Sequence, residues 1–195
     1  MNRFGRHVHE PVWRIRSHMY AQPVPAEMAC WLYDSGSLTL RLQRACQTGF
    51  RVEVIQQSWQ RPMLNEAVRL GISANVMALV RQVCLYCNDL PAVYARTVIP
   101  AQTLRGAEQH LAKLGTRPLG AVLFADPNMR RDEIEVACIR SGQRIYNSAT
   151  SMLSELPELI WARRSVFYLS NKPLLVNEVF LPDIVDCRTN CGRGL

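Results

Sequence analysis

The chain alternates between apolar and polar residues in several short segments, which is the pattern of half-buried β-strands. The clearest example places Phe50, Val52 and Val54 on one face of a strand. Two later pairs of apolar segments are separated by turn residues, Asn88-Asp89-Leu90-Pro91 in the first pair and Ser170-Asn171-Lys172 in the second, and each pair predicts a hairpin. The predicted strands are residues 50–59, 80–87, 92–98, 166–169 and 174–181.

Apolar residues at helical spacing fill much of the chain between these strands. A first helix begins at Pro25 and ends before Gly36, and Ser37 caps a second helix that ends before Gly49. Two later helices are predicted over residues 103–114 and 148–161, and Pro157 interrupts the last one. Hairpins in series with helices between them predict an α+β fold, in which helices pack on an antiparallel sheet.

Composition narrows the class of protein. The 195 residues are the length of one domain, and a hydrophobic fraction of 48% is typical of a folded globular chain. No apolar run approaches the roughly 20 residues that span a bilayer, so we expect no membrane span. The net charge is +7, and every basic residue except Lys113 and Lys172 is arginine. The guanidinium fork suits carboxylates and the arginines beyond residue 16 are scattered, so small anions are favoured over nucleic acid as ligands.

The cysteines bear on localisation and on metal binding. Seven is an odd number, and the N-terminus lacks the apolar segment of a secretion signal, so we expect reduced thiols in a cytoplasmic protein. Cys84 and Cys87, together with Cys187 and Cys191, have nearly the spacing of a zinc site. Cys84 and Cys87 fall in a predicted strand, however, where residues three apart point to opposite faces. Buried, unreactive thiols are therefore the preferred interpretation.

Charged residues interrupt two otherwise apolar strand faces. Alternate residues of a strand share a face. Arg81 therefore lies on the same face as apolar residues of the first hairpin, and Glu178 lies on the same face as apolar residues of the second. Burying either charge is costly without a partner, so the two residues pair with each other, reach water at strand ends, or face an apolar pocket that binds a charged ligand. Arg96 could extend such a pocket or support it. The Arg163-Arg164 doublet could hold a second carboxylate, although a solvated start of a strand is the simpler interpretation.

Four blocks, in this order, resemble the chorismate pyruvate-lyase family. The combination of RTVIP, LGxxPLG and KPLLxxExFLP is specific, whereas each motif alone would be weak. The blocks are WLYDSGSLTLRL (31–42), RQVCLYCNDLPAVYARTVIP (81–100), LGTRPLGAVLF (114–124) and ARRSVFYLSNKPLLVNEVFLP (162–182). The resemblance implies a single antiparallel sheet with helices packed on one side. It implies a lyase-like domain over residues 26–185, with a basic N-terminal tail at 1–25 and a C-terminal tail at 186–195.

The resemblance also implies a function and its residues. Enzymes of this family eliminate pyruvate from chorismate and leave 4-hydroxybenzoate for ubiquinone biosynthesis, and they use neither a metal nor a redox cofactor. The same carbon–oxygen lyase reaction is expected here, in a cytoplasmic monomer. By position, Arg81 matches the arginine that binds the ring carboxylate, and Glu178 matches the carboxylate at the 4-hydroxyl end of the ligand. Leu119 matches a residue whose backbone contacts the ligand. Leu38 falls where some relatives have methionine, and it is also expected to bind the substrate.

An alternative function and one departure from the family remain. The effector domains of some bacterial transcription regulators share this fold, so a non-enzymatic sensor that binds a small aromatic acid is the alternative. Between Ile139 and Trp161 the chain is longer than compact relatives. A helix around residues 152–159 in this 140–160 insertion is expected to alter a lid over the site.

Overall fold

The fold is built on one antiparallel β-sheet. The computed structural model describes residues 9–18 and 23–185. The strands in these ranges are β1 (Arg14–Ile15), β2 (Phe50–Gln60), β3 (Ala78–Cys87), β4 (Leu90–Pro100), β5 (Arg130–Arg131), β6 (Glu135–Arg140), β7 (Leu159–Leu169) and β8 (Lys172–Phe180). They form a single sheet in the order β1-β6-β7-β8-β4-β3-β2, and β5 pairs with β7 outside this path.

Both predicted hairpins are present, and their strands are longer than the apolar runs alone indicate. Asn88 and Asp89 form the turn between β3 and β4, and Ser170 and Asn171 form the turn between β7 and β8. All four residues have φ between 48° and 63°, which is the backbone conformation that two-residue hairpin turns of this twist require. Pro91, expected in the first turn, lies instead in β4 beside an irregularity in the register, where its missing N–H is tolerated.

Helical segments connect the strands. The α-helices are α1 (Ala26–Leu32), α2 (Leu38–Ala45), α3 (Leu64–Leu70), α4 (Leu119–Leu123) and α5 (Arg144–Ala149), and short 3-10 helices occupy Arg16–His18, Gly106–Lys113 and Pro182–Val185. Ser37 caps α2 as predicted, because its Oγ accepts a hydrogen bond from the N–H of Leu40 at 3.4 Å. The helix predicted over 103–114 is present as the 3-10 helix Gly106–Lys113. No helix in the described ranges is long and apolar enough to cross a membrane.

The prediction of a helix over residues 148–161 is wrong. Helix α5 ends at Ala149, residues 150–158 are not helical, and Leu159 already begins β7. Pro157 lacks the N–H that a helix interior needs. From Leu159 onwards the backbone pairs with β6, and this pairing outweighs the helical spacing of the apolar residues.

Helices lie on both faces of the sheet. We call the face that carries Arg81 and Glu178 the pocket face, and α1, α2, α4 and the 3-10 helix at 106–113 cover it. Helices α3 and α5 pack on the opposite face. The predicted α+β fold with one antiparallel sheet is confirmed, and the second face has a helical layer of its own.

The longer segment between Ile139 and Trp161 belongs to the opposite face. Its helix α5 buries Ile145 in the same apolar cluster as Tyr94 and Val179, which point away from the pocket face. The expectation that this insertion alters a lid over the site is therefore wrong. The cover of the pocket face comes from α1, α2 and α4, which lie earlier in the chain.

Residues 9–18 pack on the domain. Strand β1 pairs with β6 at the edge of the sheet. The Glu10 carboxylate accepts hydrogen bonds from the backbone N–H groups of Leu64 and Asn65, at 2.9 and 2.8 Å, at the start of α3. Part of the segment assigned from sequence to a basic tail thus contributes to the sheet. The C-terminal tail at 186–195 lies outside the described residues.

A disulfide bond joins two of the described cysteines, and Cys30 is disulfide-bonded as well. Cys46, just after α2, is joined to Cys87 at the end of β3, and the two are 41 residues apart in the sequence. The expectation of reduced thiols is wrong for this pair, because the fold brings the two residues together. Cys84 keeps a buried free thiol whose pKa is raised to about 12 by burial. No group of three or more metal-ligating side chains occurs in the ranges described, which do not include Cys187 and Cys191.

Candidate active site

A narrow cavity lies between the pocket face and its helical cover. Strands β3, β4, β7 and β8 form its floor, and residues of α2 and α4 form its roof. All four site residues predicted from the sequence line it: Arg81 and Glu178 from the sheet, Leu38 and Leu119 from the roof. Apolar residues complete the wall, among them Val83, Leu85, Leu123, Phe124, Phe167 and Val176. The volume open to the centre of a water-sized sphere is about 50 Å³, which is the space of a few water molecules. The cavity therefore suits one small ligand.

Arg81 is buried in the floor, and no carboxylate of the described residues pairs with it. Its residue is 2% exposed, and its guanidinium donates to Gln57 Oε1 at 3.2 Å and to the Arg117 carbonyl at 3.4 Å. Burial lowers the pKa of Arg81. The pairing of Arg81 with Glu178, one of the arrangements open from sequence, does not occur. The guanidinium instead faces the cavity, and the acceptors that it contacts in the described part of the chain are neutral.

Glu178 pairs with a different arginine. The Nε of Arg163 donates to Glu178 Oε2 at 2.5 Å, and the two residues are register partners on β7 and β8. The same guanidinium donates through Nη1 to the carbonyls of Trp31 and Asp34, at 2.8 and 2.6 Å. Arg163 is 1% exposed, so its guanidinium is almost completely removed from water, whereas the Glu178 side chain keeps 16% exposure. The orientation of the Glu178 carboxylate is thereby fixed.

The interpretation of Arg163-Arg164 as a solvated start of a strand is wrong. Both residues are buried, and they point to opposite faces of β7. Arg163 lines the cavity, whereas Arg164 donates to Glu135 on the other side of the sheet at 2.9 Å. Arg163 lies on the strand that forms a hairpin with the strand of Glu178. The pairing of these two residues can be recognised only once the register is known.

Sequence reasoning missed Arg131, which also lines the cavity. It lies in the two-residue strand β5, which is too short to show any periodicity. Its Nε donates to Ser165 Oγ and its Nη1 donates to the Ser35 carbonyl, both at 3.0 Å. Its guanidinium lies 4.9 Å from the centre of the Phe167 ring. Burial, followed by the nearby charge of Arg163, lowers the pKa of Arg131 to about 10, so the group is a desolvated cation at neutral pH.

Arg96 does not extend the site. It lies on the opposite face, where it makes two hydrogen bonds to Glu66, at 2.8 and 3.0 Å. Asn177 also donates to this carboxylate, at 3.1 Å. The alternation of strand residues explains the outcome, because Arg96 follows Ala95, which lines the cavity.

The roof is closely packed where α2 and α4 meet. A Cβ atom built on Gly120 would lie only 2.9 Å from Thr39 Oγ1, so glycine is required for this approach. Leu38 is the first residue of α2 and Leu119 is the first residue of α4. The backbone N–H groups at such positions have no acceptor within their own helix. Both residues line the cavity, so each brings the start of a helix to its wall.

The fold and the cavity together define the class of protein. A single antiparallel sheet whose helical roof encloses arginines over an apolar floor is suited to holding a small carboxylate ligand away from water. Among solved structures, the chain is similar to the C-terminal domain of the histidine utilization repressor from Pseudomonas syringae pv. tomato, with a TM-score of 0.54 and 12% sequence identity. The match covers 75% of this chain and 99% of that one. At this identity it shows a shared fold only.

The sequence comparisons identify the family. A profile of the family described as chorismate lyase matches residues 9–189. The chain is 41% identical over 168 residues to a probable chorismate pyruvate-lyase of Aromatoleum aromaticum, covering 85% of this chain and 90% of that protein. It is 42% identical over 158 residues to a probable chorismate pyruvate-lyase of Methylococcus capsulatus, covering 81% and 96%. The chain belongs to the chorismate lyase family and is a carbon–oxygen lyase, as its sequence blocks predict.

Proposed function

We propose that the cavity is where this enzyme eliminates pyruvate from chorismate and forms 4-hydroxybenzoate. In this proposal Arg81 binds the ring carboxylate, and Glu178 binds the hydroxyl group at the opposite end of the ring. The observation that supports it is the position of both residues in one cavity, on β3 and β8, with β4 between them.

The register of the sheet sets the distance between the two charged residues. On β4, Thr97 pairs with Arg81 and Ala95 pairs with Glu178, so the two are offset by two strands and two residues. At about 4.8 Å between strands and about 3.3 Å per residue, their Cα atoms lie roughly 12 Å apart. Both side chains extend into the cavity. The gap between the Arg81 guanidinium and the Glu178 carboxylate therefore has about the length of one six-membered ring with a substituent at each end.

Arg81 is suited to a carboxylate because no described residue supplies a counterion for its charge. Its hydrogen bonds to Gln57 and to the Arg117 carbonyl are made to neutral acceptors. The ring carboxylate would supply the missing charge through charge-assisted hydrogen bonds. These hydrogen bonds are stronger in a cavity that excludes water.

Glu178 is suited to hold a hydroxyl group in a defined orientation. Arg163 occupies its Oε2, and within the described ranges its Oε1 accepts no hydrogen bond. Oε1 is therefore available to the 4-hydroxyl of the ligand. The N–H groups of Leu38 and Leu119, at the starts of α2 and α4, support the backbone contacts that the family resemblance implies.

The reaction is redox-neutral. The bond between ring carbon 3 and the ether oxygen breaks, ring carbon 4 loses its proton, and the ring becomes aromatic. The departing enolpyruvate gains a proton at its methylene carbon and becomes pyruvate, so no net proton is taken up or released. Because aromatisation drives the reaction, it requires neither an electron acceptor nor a metal. The contribution of the protein is to hold the ring in one orientation and to keep water out.

Other parts of the proposal concern the whole protein. A product held at both ends beneath a roof leaves slowly, so we expect inhibition by 4-hydroxybenzoate. As the family resemblance implies, we propose a cytoplasmic monomer whose product enters ubiquinone biosynthesis. Light scattering of the purified protein tests the monomer, and a dimer would contradict it.

The activity is tested by following both products of the EDTA-treated full-length chain incubated with chorismate. Equal release of 4-hydroxybenzoate and pyruvate, faster than spontaneous decay, is the expected result. Binding of 4-hydroxybenzoate without turnover would instead favour the sensor alternative.

The site assignment is tested with Arg81→Ala and Glu178→Ala. We expect Arg81→Ala to weaken 4-hydroxybenzoate binding about 100-fold, the value of a charge-assisted contact. We expect Glu178→Ala to lower kcat about 100-fold or more. Arg140→Ala and Glu158→Ala are matched controls, because these residues form an exposed ion pair away from the cavity. Near wild-type rates and affinity in both site variants would show the assignment to be wrong.

A further inference from the structure

The charges in the wall of the cavity do not balance. Among the described residues that line it, three are arginines, Arg81, Arg131 and Arg163, and one is a carboxylate, Glu178. Arg163 and Glu178 neutralise each other in their ion pair. Two cations remain among these residues, and their hydrogen bonds go to neutral groups; the charges of Glu178 and Asp34 act on Arg131 without a hydrogen bond to it. A ligand with one carboxylate can neutralise only one of them.

Arg131 is held in place and retains donors for a ligand. Its Nε donates a hydrogen bond to Ser165, and its Nη1 donates one to the Ser35 carbonyl. The guanidinium also lies over the Phe167 ring. Its Nη2 makes no hydrogen bond in the described part of the chain. Burial of this charge lowers its pKa to about 10, and a carboxylate beside it would offset that cost. The arrangement is a rigid guanidinium with an unoccupied edge at the cavity.

The position of Arg131 places it at the Glu178 end of the cavity. Arg131 is the register partner of Phe167 on β7, and its side chain reaches back along β7 to Ser165. Ser165 lies two residues from Arg163, the partner of Glu178 on the neighbouring strand. Arg81 is three strands away, because β8 and β4 separate β7 from β3. The two uncompensated cations are therefore at opposite sides of the cavity.

Chorismate carries a second carboxylate at the corresponding place. Its enolpyruvyl ether is attached to the ring carbon next to the one that bears the hydroxyl, so the enolpyruvyl carboxylate projects near the hydroxyl end. With the ring oriented as proposed above, that end is the one at Glu178. Extending the proposed function, on which this inference rests, we propose that Arg131 binds the enolpyruvyl carboxylate and makes the cavity selective for the dianionic substrate.

This role separates substrate from product. 4-Hydroxybenzoate retains the carboxylate at Arg81 and the hydroxyl at Glu178, but it has lost the group that contacts Arg131. Removal of the Arg131 charge therefore weakens the binding of chorismate and leaves the contacts of the product intact. In a purely structural role, Arg131 would only hold the backbone at Ser35 in place. Loss of its charge would then weaken the binding of chorismate and of 4-hydroxybenzoate alike, because both ligands lie beneath the roof.

The test compares Arg131→Gln with Arg130→Gln, which removes the neighbouring, mostly exposed arginine. Steady-state kinetics give kcat/KM for chorismate, and equilibrium titration gives the Kd of 4-hydroxybenzoate for the same preparations. For Arg131→Gln we expect kcat/KM to fall about 100-fold, while the Kd of 4-hydroxybenzoate changes less than about threefold. Arg131→Lys, which keeps a charge without the fork, is expected to recover part of the loss. Arg130→Gln is expected to match the wild type.

Three outcomes would overturn the proposal. An equal loss for chorismate and 4-hydroxybenzoate in Arg131→Gln would assign Arg131 a structural role. An unchanged kcat/KM would show that it does not contact the substrate. If wild-type protein binds 4-hydroxybenzoate but does not convert chorismate, the proposed function itself fails, and this result is recognised without any variant. Thermal unfolding of each variant shows that the compared proteins are folded.

Discussion

Arg163 and Glu178 stand opposite each other on β7 and β8, and their side chains meet at 2.5 Å. The same guanidinium holds the carbonyls of Trp31 and Asp34, which belong to the end of α1 and the loop after it. One buried side chain therefore orients the carboxylate of the site and fastens part of the roof. The pair also neutralises itself, so the remaining charges of the cavity are available to the ligand.

Arg163→Met is expected to lower the free energy of unfolding by about 3–5 kcal/mol, because it leaves the Glu178 carboxylate without its buried partner. Urea unfolding followed by tryptophan fluorescence measures the change. The double variant Arg163→Met/Glu178→Leu is expected to regain part of the loss, since no unpaired charge then remains. If Arg163→Met proved as stable as Arg140→Met, which alters an exposed ion pair, the pair would have no stabilising role.

Gly120→Ala is expected to separate α2 from α4, since its Cβ would lie 2.9 Å from Thr39 Oγ1. A loosened roof should release 4-hydroxybenzoate about tenfold faster, in line with the 1–3 kcal/mol that overpacking costs. Stopped-flow displacement of the product measures this rate. The double variant Gly120→Ala/Thr39→Ala removes the clashing oxygen, and we expect a release rate near the wild-type value. Equal rates in all three proteins would mean that this contact does not control release.

Loss of the Cys46–Cys87 disulfide is expected to lower the free energy of unfolding by about 3–4 kcal/mol, because the bond closes a loop whose ends are 41 residues apart. Because Cys30 is also disulfide-bonded, a reductant does not act on this bond alone. The Cys46→Ser/Cys87→Ser variant removes only this bond, and its urea unfolding, compared with that of the wild type without reductant, measures the effect. Thiol titration of protein prepared without added oxidant reports whether the bond forms in the cell. A variant as stable as the wild type would contradict the prediction.

Acid is expected to weaken the contact between Glu108 and Lys172. Hydrogen bonds from Lys172 and then Ser170 lower the pKa of Glu108 from 4.5 to about 2. A carboxyl group with a lowered pKa in the folded state stabilises the fold above its unfolded pKa, and this contribution is lost as the pH falls from about 4.5 towards 2. Urea unfolding measured across this range should show a smaller pH dependence for Lys172→Met than for the wild type. Identical slopes would exclude the contribution of this pair.

The two hairpins and β2 were predictable because their signals are local, whereas β1, β5, β6 and the first part of β7 were not predicted as strands. Polar turn residues between apolar runs identify both hairpins, and the spacing of two along each strand is sufficient to select Arg81 and Glu178 as charges on apolar faces. The turn residues Asn88 and Asn171 tolerate the positive φ that these hairpins need. Such features depend on neighbours within a few residues.

What could not be predicted depends on contacts between distant parts of the chain. Arg163 becomes the partner of Glu178 only through the register of β7 and β8. Arg131 reaches the cavity from a strand of two residues, which carries no period. The disulfide of Cys46 and Cys87 likewise depends on the packing of α2 against the end of β3.

In the floor of the cavity, the main chain of β4 connects the strand of Arg81 to the strand of Glu178. Its backbone hydrogen bonds to β3 on one side and β8 on the other fix how far Arg81 stands from Glu178. Exchange of side chains in the roof can change how fast a ligand enters and leaves, but it cannot lengthen or shorten this span. With Arg81 and Glu178 in the roles proposed above, this fixed span favours ring compounds whose two polar groups are in a 1,4 relationship, and we expect other isomers to bind more weakly even when they fit the volume.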